Sequence, residues 1–497
     1  MLLLGIDLGT SSVKVSVVDA ATQRAIVSVS YPDKEREIKV LESGWAEQYP
    51  LQWWQDTKMA ILKANATGLF NPKDIAAIGI SYQMHGLVVV DKNGEALRDS
   101  IIWCDSRAIS YGEAANEAIG HEKCLAHLLN SPGNFTAAKL AWVKENEPEI
   151  YGRIDKMMLP GDFISMQMTG ECTSTIPMLS EGIFWDFKNH RLSEDVLQYF
   201  GLDPAMIPSL QPLFSKHGAL RSSVAKELNL QEGIPVSYKA GDQPNNAMSL
   251  GALKPGEVAT TAGTSGVIYA VTDQLFSDPQ SRVNTFAHVN HSAEAPRLGV
   301  LLCINGTGIA NRWIRNTVNA NLSYREMDNQ AWPVPIGSDG LLCLPFGNGA
   351  ERMLCNRQVG AHFSKLDFNK HTPAHMFRAV HEGIAFAHRY GLDIMRENGL
   401  RPTVAKAGYA NMFLNKTFTQ AFVNATGLAV ELFKTEGSVG AALGAGIGAG
   451  IFSNEEEAFA RLEKLKTVEP DASQDTYNEV YFEWKQLLEL QLNKQTV

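Results

Sequence analysis

The sequence predicts an α/β protein with two related domains, and three observations carry that expectation. A strand–turn–strand unit is written twice. The first copy is Leu2–Leu8, Gly9-Thr10-Ser11-Ser12 and Val13–Asp19; the second is Glu257–Ala262, Gly263-Thr264-Ser265-Gly266 and residues 267–271. Apolar β-branched runs alternate with segments of helical period, the pattern of sheets covered by helices. Finally, 497 residues are too many for one core, and a division near the middle fits the repeat. The expected domains are 1–239 and 240–497.

Taken in order, the first domain opens as a meander, with strands at Leu2–Leu8, Val13–Asp19 and 25–31. A helix over 50–66 draws its apolar face from Trp53, Trp54, Met59, Ile61 and Leu62. A strand at 75–81 ends at Tyr82-Gln83-Met84-His85-Gly86. Another at 87–90 ends at the turn Asp91-Lys92-Asn93-Gly94. Prolines and glycines punctuate 202–238 into loops. A strand at 235–239 leads to Ala240-Gly241-Asp242, with a helix expected at 247–253.

Beyond the second turn, helices are expected at 308–318 and 375–398, a strand and turn at 404–410, and a helix at 418–426. The tract 439–452 is rich in Gly and Ala and suits a close-packed helix. No run reaches the roughly 20 apolar residues of a membrane span. The last helix, 477–492, aligns Tyr477, Tyr481, Trp484, Leu488 and Leu492 on one face, which is free to pack back on the first domain.

Composition narrows the function classes. A formal net charge of −10 with scattered basic residues gives no electrostatic support for nucleic-acid binding. Six dispersed cysteines without a C-x-x-C pair argue for reduced thiols in a cytoplasm rather than for disulfides or zinc. Asp7 interrupts the apolar start, which is too short for a signal peptide.

Several residues could carry chemistry. The two Gly-Thr-Ser turns present backbone N–H groups and short hydroxyls, as phosphate oxygens require, and point to a nucleotide held between two related domains. Asp7, just before the first turn, suits a magnesium ion held through water, or it caps its own turn. Asp242, at a strand-to-helix junction, either takes a proton from an attacking hydroxyl or caps the helix. Met84 and His85 beside Gly86 suit a small polar ligand, although a lone His is as readily structural. Trp103, Asp105 and Arg107 form either a carbohydrate floor or a salt-bridged loop. Gly408-Tyr409-Ala410-Asn411 either admits adenine or merely joins a strand to a helix.

Together these residues resemble the FGGY family of carbohydrate kinases, of the actin and hexokinase superfamily. The resemblance runs in order through Gly5-Ile6-Asp7-Leu8-Gly9-Thr10-Ser11-Ser12, Gly44-Trp45-Ala46-Glu47-Gln48 and Gln83-Met84-His85-Gly86. It continues through Trp103 to Arg107, Lys139-Leu140-Ala141-Trp142, Gly241-Asp242, Gly263-Thr264-Ser265 and Glu436-Gly437-Ser438-Val439-Gly440-Ala441-Ala442. It implies two actin-like (ribonuclease H-like) domains flanking a central cleft and internally duplicated. The first domain would be mainly sugar-binding and the second mainly ATP-binding.

Gln83-Met84-His85-Gly86 resembles the xylulokinase group, which implies transfer from magnesium-ATP to D-xylulose by a cytoplasmic, plausibly dimeric enzyme. The same resemblance implies Asp242 as catalytic base and Asp7 at the magnesium. It puts Met84, His85, Trp103, Asp105, Arg107 and Gln243 at the sugar. Gly9, Thr10, Ser11, Ser12, Gly263 and Thr264 would meet phosphates, with Gly408, Tyr409 and Asn411 at adenine. The chain departs from the family pattern at Gln243, where Asn is usual, and at Ala407 and Tyr409, where glycines are usual. Kinases for L-ribulose, gluconate or a deoxyketose are the near alternatives, and a non-enzymatic actin-like switch is the distant one.

Overall fold

A computed structural model describes residues 1–494. The chain forms two compact units. The first comprises residues 1–251, 286–298 and 435–462; the second comprises 252–285, 299–434 and 463 onward. The expected boundary at 239/240 therefore falls about a helix too early, and two later segments count with the first unit.

The first unit is built on a six-stranded mixed sheet: β1 (Leu2–Leu8), β2 (Val13–Asp19), β3 (Arg24–Tyr31), β4 (Ile75–Tyr82), β5 (Gly218–Ala219) and β6 (Pro235–Gly241). Their spatial order is β5-β6-β4-β1-β2-β3. β1 runs antiparallel to β2 and parallel to β4, and β4 is parallel to β6. Because β1 and β4 are covered on both faces, they read as near-continuous apolar runs. Helix Pro50–Asn65 buries Trp53, Trp54 and Ile61 in this unit's core.

The Gly/Ala tract forms helix Gly437–Gly448, which also lies against this sheet. Its approach is closer than side chains permit. A Cβ at Gly5 would sit 2.6 Å from the Ala442 nitrogen, and one at Gly444 would sit 2.8 Å from the Tyr238 ring. The contact lets Ser16 Oγ meet Ser438 Oγ at 2.8 Å and lets Ser237 Oγ donate to the Ala445 carbonyl at 2.8 Å.

A second sheet repeats the design with β7 (Glu257–Ala262), β8 (Gly266–Thr272), β9 (Asn284–Ala287), β10 (Leu298–Ile304), β11 (Val404–Gly408), β12 (Val430–Phe433) and β13 (Lys464–Val468), in the order β9-β10-β8-β7-β11-β12-β13. Again the opening hairpin, β7 and β8, is antiparallel. The next two strands, β11 and β12, are parallel, and the edge strand β13 is antiparallel. The internal duplication is thus topological as well as local.

The last helix is Gln474–Lys494, and it packs within the second unit rather than back on the first. Trp484 Nε1 donates to the Cys343 carbonyl at 2.7 Å, and its ring lies 5.9 Å from Phe346. Tyr477, Tyr481 and Leu488 are buried beside it, while Leu492 is only partly covered. Among the described residues no helix is long and apolar enough to cross a membrane.

Candidate active site

Three parallel strands of the first unit end side by side. In register, Leu8 of β1 and Gly241 of β6 both lie opposite Tyr82 of β4. Their following loops, residues 9–12, 83–86 and the junction at Asp242, therefore leave from one sheet edge. The carboxyl ends of parallel strands are where open α/β sheets bind ligands. Gly9 N–H closes the first turn on the Ser12 carbonyl at 3.0 Å, and Gln83 N–H ties the second loop to the Leu8 carbonyl at 2.8 Å.

Asp242 is the first residue of helix Asp242–Ser249 rather than its cap, which is Gly241. The helix starts earlier than the expected 247 because Pro244 falls in the first turn, where a missing N–H costs nothing. Burial, reinforced by the Asp7 charge, pushes the Asp242 carboxyl up to about 7, while hydrogen bonds from Gln243 oppose the rise. The residue as a whole is half-buried.

Asp7 is paired with Ser81 across β4 and with Lys14 across β2. Burial raises its pKa; the Ser81 hydroxyl and Lys14 pull it down, and Glu436 pushes it up again. A Cβ at Gly437 would lie 2.8 Å from Asp7 Oδ2 and 2.9 Å from Asn246 Oδ1, so the start of helix Gly437–Gly448 abuts both side chains.

On the loop after β4, Met84 is buried against the Gly241 backbone and His85 is partly exposed. A Cβ at Gly241 would come 2.6 Å from Met84 Cγ. His85 has a left-handed backbone, φ 62°, unusual for a residue with a Cβ. Its ring lies 4.9 Å from Phe135 and 5.2 Å from Phe286, and its Nδ1 is 3.0 Å from the Glu181 carbonyl. A carbonyl only accepts, so Nδ1 carries the proton.

Two expected sugar ligands are not available to one. Asp105 accepts from the Ala46 N–H at 2.6 Å and from Arg107 through its backbone N–H and its guanidinium. The Arg107 guanidinium also donates to Glu47 at 2.8 Å and stacks between Trp45, 3.8 Å away, and Trp142, 4.8 Å away. Both side chains are almost wholly buried. They form the salt-bridged loop, and that loop presents Trp103, which is 46 % exposed.

The Trp103 indole N–H donates to Thr10 Oγ1 at 3.0 Å, and Thr10 Oγ1 donates to Gln83 Oε1 at 3.2 Å. Gln83 in turn donates to Gln48, which donates back to the Thr10 carbonyl at 2.7 Å. The Thr10 hydroxyl proton is thus spent inside the protein. The Gly9 N–H is spent as well, on the Ser12 carbonyl, so in this turn a phosphate would meet the later N–H groups and the Ser11 and Ser12 hydroxyls.

The remaining predicted residues belong to the second unit. β7 and β11 are parallel neighbours, so the turn at Gly263-Thr264 and the turn at Gly408-Tyr409 leave the same edge of that sheet. Gly308 N–H and Thr307 Oγ1 both donate to the Gly263 carbonyl, at 2.7 and 2.8 Å, and so dock the start of helix Gly308–Asn319 on this turn. Asn411 has φ 52°, and its amide would lie 3.5 Å from a Cβ at Gly263. Gly408 faces open space and Tyr409 is largely exposed. This surface leaves room for a flat base above the backbone.

Two residues of the first unit's site carried little signal. Lys139 is wholly buried and donates to the His85 and Ile102 carbonyls, each at 3.0 Å; burial lowers its pKa to about 8. It pins the roots of the His85 and Trp103 loops together, and its motif was visible while its role was not. Glu181 ends helix Ile176–Glu181 in a segment with no distinctive pattern, yet its carboxyl reaches the Gly241 backbone.

Comparison with known proteins decides the family. Residues 2–249 match the N-terminal domain of the FGGY family of carbohydrate kinases, and residues 258–451 match its C-terminal domain. This chain belongs to that family. It is 30 % identical over 478 residues to a xylulose kinase of Escherichia coli, covering 92 % of each chain. Against a xylulose kinase of Staphylococcus epidermidis it is 32 % identical over 400 residues, covering 80 % of this chain and 77 % of the other.

The crystal structure of a xylulose kinase from Rhodospirillum rubrum superposes with a TM-score of 0.88 at 25 % identity, covering 99 % of both chains. A gluconate kinase from Lactobacillus acidophilus shares the fold, with a TM-score of 0.89 at 21 % identity over 99 % of this chain and 98 % of that one. As an FGGY member the protein is a carbohydrate kinase that phosphorylates a sugar with ATP.

Proposed function

We propose that this FGGY kinase transfers the terminal phosphoryl group of ATP to D-xylulose, with Asp242 as general base. The observation that carries the reading is Asp242 itself. It heads a helix at the end of β6, burial pushes its carboxyl up to about 7, and Met84 packs against the Gly241 backbone just before it. An acid with a pKa near the working pH removes a hydroxyl proton most effectively as the oxygen attacks phosphorus. The xylulose kinases among the relatives support the sugar.

Charge narrows the acceptor class. The cations around the His85 and Trp103 loops are committed elsewhere: Arg107 to Asp105 and Glu47, Lys139 to two carbonyls. Asp242, Asp7 and Glu181 add only acids. An aldonate carboxylate could not pair with Arg107 or Lys139, whereas a neutral ketose needs only hydroxyl partners. His85, with Nδ1 protonated against a carbonyl, would meet such hydroxyls, and exposed Trp103 would stack on the sugar's C–H face.

Magnesium fits the same edge. The Asp7 charge raises the cost of ionising Asp242, and a divalent cation held by Asp7 through water would relieve it. That ion would neutralise charge on the transferring phosphoryl. The backbone N–H groups of Thr10, Ser11 and Ser12 and those at Gly263-Thr264 would hold phosphate oxygens, and Gly408, Tyr409 and Asn411 would border adenine. In this reading the first unit carries the sugar-side groups and the second the adenine-side groups, in the cytoplasm where ATP is made.

Sugar-dependent ADP release tests the assignment directly. Across D-xylulose, L-ribulose, gluconate and glycerol, D-xylulose is expected to give the highest kcat/KM. Preference for gluconate, or ATP turnover that no sugar accelerates, would overturn it.

A further inference from the structure

Glu181 lies within the site on which the proposed function rests, and no step described so far uses it. Its carboxyl is 2 % exposed and converges with Met84 over the backbone of Gly241: a Cβ there would lie 2.6 Å from both Glu181 Oε2 and Met84 Cγ. Oε1 lies 3.5 Å from the His85 N–H, at the long limit of a hydrogen bond. The main-chain carbonyl of the same residue accepts from His85 Nδ1 at 3.0 Å. One residue therefore touches both the backbone and the ring of the only histidine in the Gln83–Gly86 loop.

We infer that Glu181 is a positioning residue for the sugar: it holds His85 in its left-handed conformation and its protonated-Nδ1 orientation. The need for such a hold is physical. A non-glycine residue at φ 62° is strained and persists only where its surroundings impose it. Lys139 and Thr136 restrain the His85 carbonyl, at 3.0 and 3.3 Å, but neither reaches its N–H. Glu181 approaches that N–H, at 3.5 Å.

The groups facing the carboxyl are the Tyr82 phenol on β4, the His85 N–H, Asp242, and Asp162 with its partner Lys239 at 2.6 Å. Burial, with the two aspartates adding to it, holds Glu181 well above the usual carboxylate range. Hydrogen bonds from Tyr82 and His85 oppose that rise; its direction favours the neutral acid, so a neutral isostere is expected to replace Glu181.

The test compares steady-state kinetics of wild type, Glu181→Gln and Glu181→Ala on the preferred sugar, whichever the panel shows that to be. Glu181→Gln is expected to stay within about threefold of wild type. Glu181→Ala should raise the sugar KM by about tenfold, the worth of one buried hydrogen bond, with the ATP KM unchanged. Should Glu181→Ala not fold, Glu181→Asp, one methylene shorter, reads the same split. An unchanged sugar KM in the truncated variant, an equal rise in both constants, or a Gln variant as impaired as the truncated one would overturn the inference. A wild type that prefers another sugar would instead defeat the D-xylulose assignment and leave this comparison intact.

Discussion

Asp242 combines two properties that pull in opposite directions, and each gives a measurement. Its carboxyl ionises only near pH 7 in the folded protein, against about 3.9 in an unfolded chain. In the proposed role of base it works only when deprotonated, so kcat/KM should rise with pH through about 7 and flatten above it. Asp242→Asn should lower kcat by about a thousandfold, within the range for a lost general base, with ATP affinity near normal.

Stability runs the other way. A folded pKa above the unfolded one means the folded state holds the extra proton, so stability falls as pH rises from about 4 to about 7. Asp242→Asn should therefore raise the melting temperature, by a margin that grows between pH 4 and pH 8. A constant margin would argue against a strained acid.

His85→Ala should raise the sugar KM more than the ATP KM, and steady-state kinetics on both substrates checks it. At this scale the sequence drew attention to Asp242 and His85, because each lies next to a glycine just past a strand end. It did not show that Asp105 and Arg107 are consumed. Their partners, Trp45, Ala46, Glu47 and Trp142, lie some 35 to 60 residues away in the chain and meet them only in the fold. Glu181 was invisible for the same reason.

Elements explain why the two Gly-Thr-Ser turns stand where they do, and glycine provides the test. Gly263 has ordinary space around it, since a Cβ would meet nothing nearer than 3.5 Å. Gly263→Val should fold normally yet weaken ATP binding by about tenfold through crowding of the phosphates. Nucleotide titration of the purified variant checks this, and unchanged affinity would remove the turn from the site. Gly5 is the opposite case, because its Cβ would collide with the backbone of helix Gly437–Gly448. Gly5→Ala should cost about 2 kcal/mol of stability, read from the denaturation midpoint.

Both hairpins were legible from the period-2 pattern and the turn residues, and the Gly/Ala tract was rightly read as a close-packed helix. Its address was not legible. Helix Gly437–Gly448 packs on strands at residues 2–8, 75–82 and 235–241, and nothing local announces such a distant partner. The start of helix Asp242–Ser249 was hidden by Pro244, which reads as a breaker unless its position in the first turn is known.

At the scale of the whole molecule, each unit repeats one plan. An antiparallel hairpin is followed by two parallel strands, and ligand-side loops leave the carboxyl ends. The repeat was visible in sequence only at the hairpins, because topology is kept by packing pattern while residue identity drifts. In this architecture chemistry comes from positioning and charge more than from covalent steps.

The most direct test is the pH dependence of D-xylulose-driven ADP release for wild type and Asp242→Asn. The account predicts a wild-type kcat/KM that climbs through an apparent pKa near 7 and a variant rate about a thousandfold lower with no such limb. A wild-type profile flat from pH 6 to pH 8 in roughly that window, or a variant within about tenfold of wild type, would contradict it.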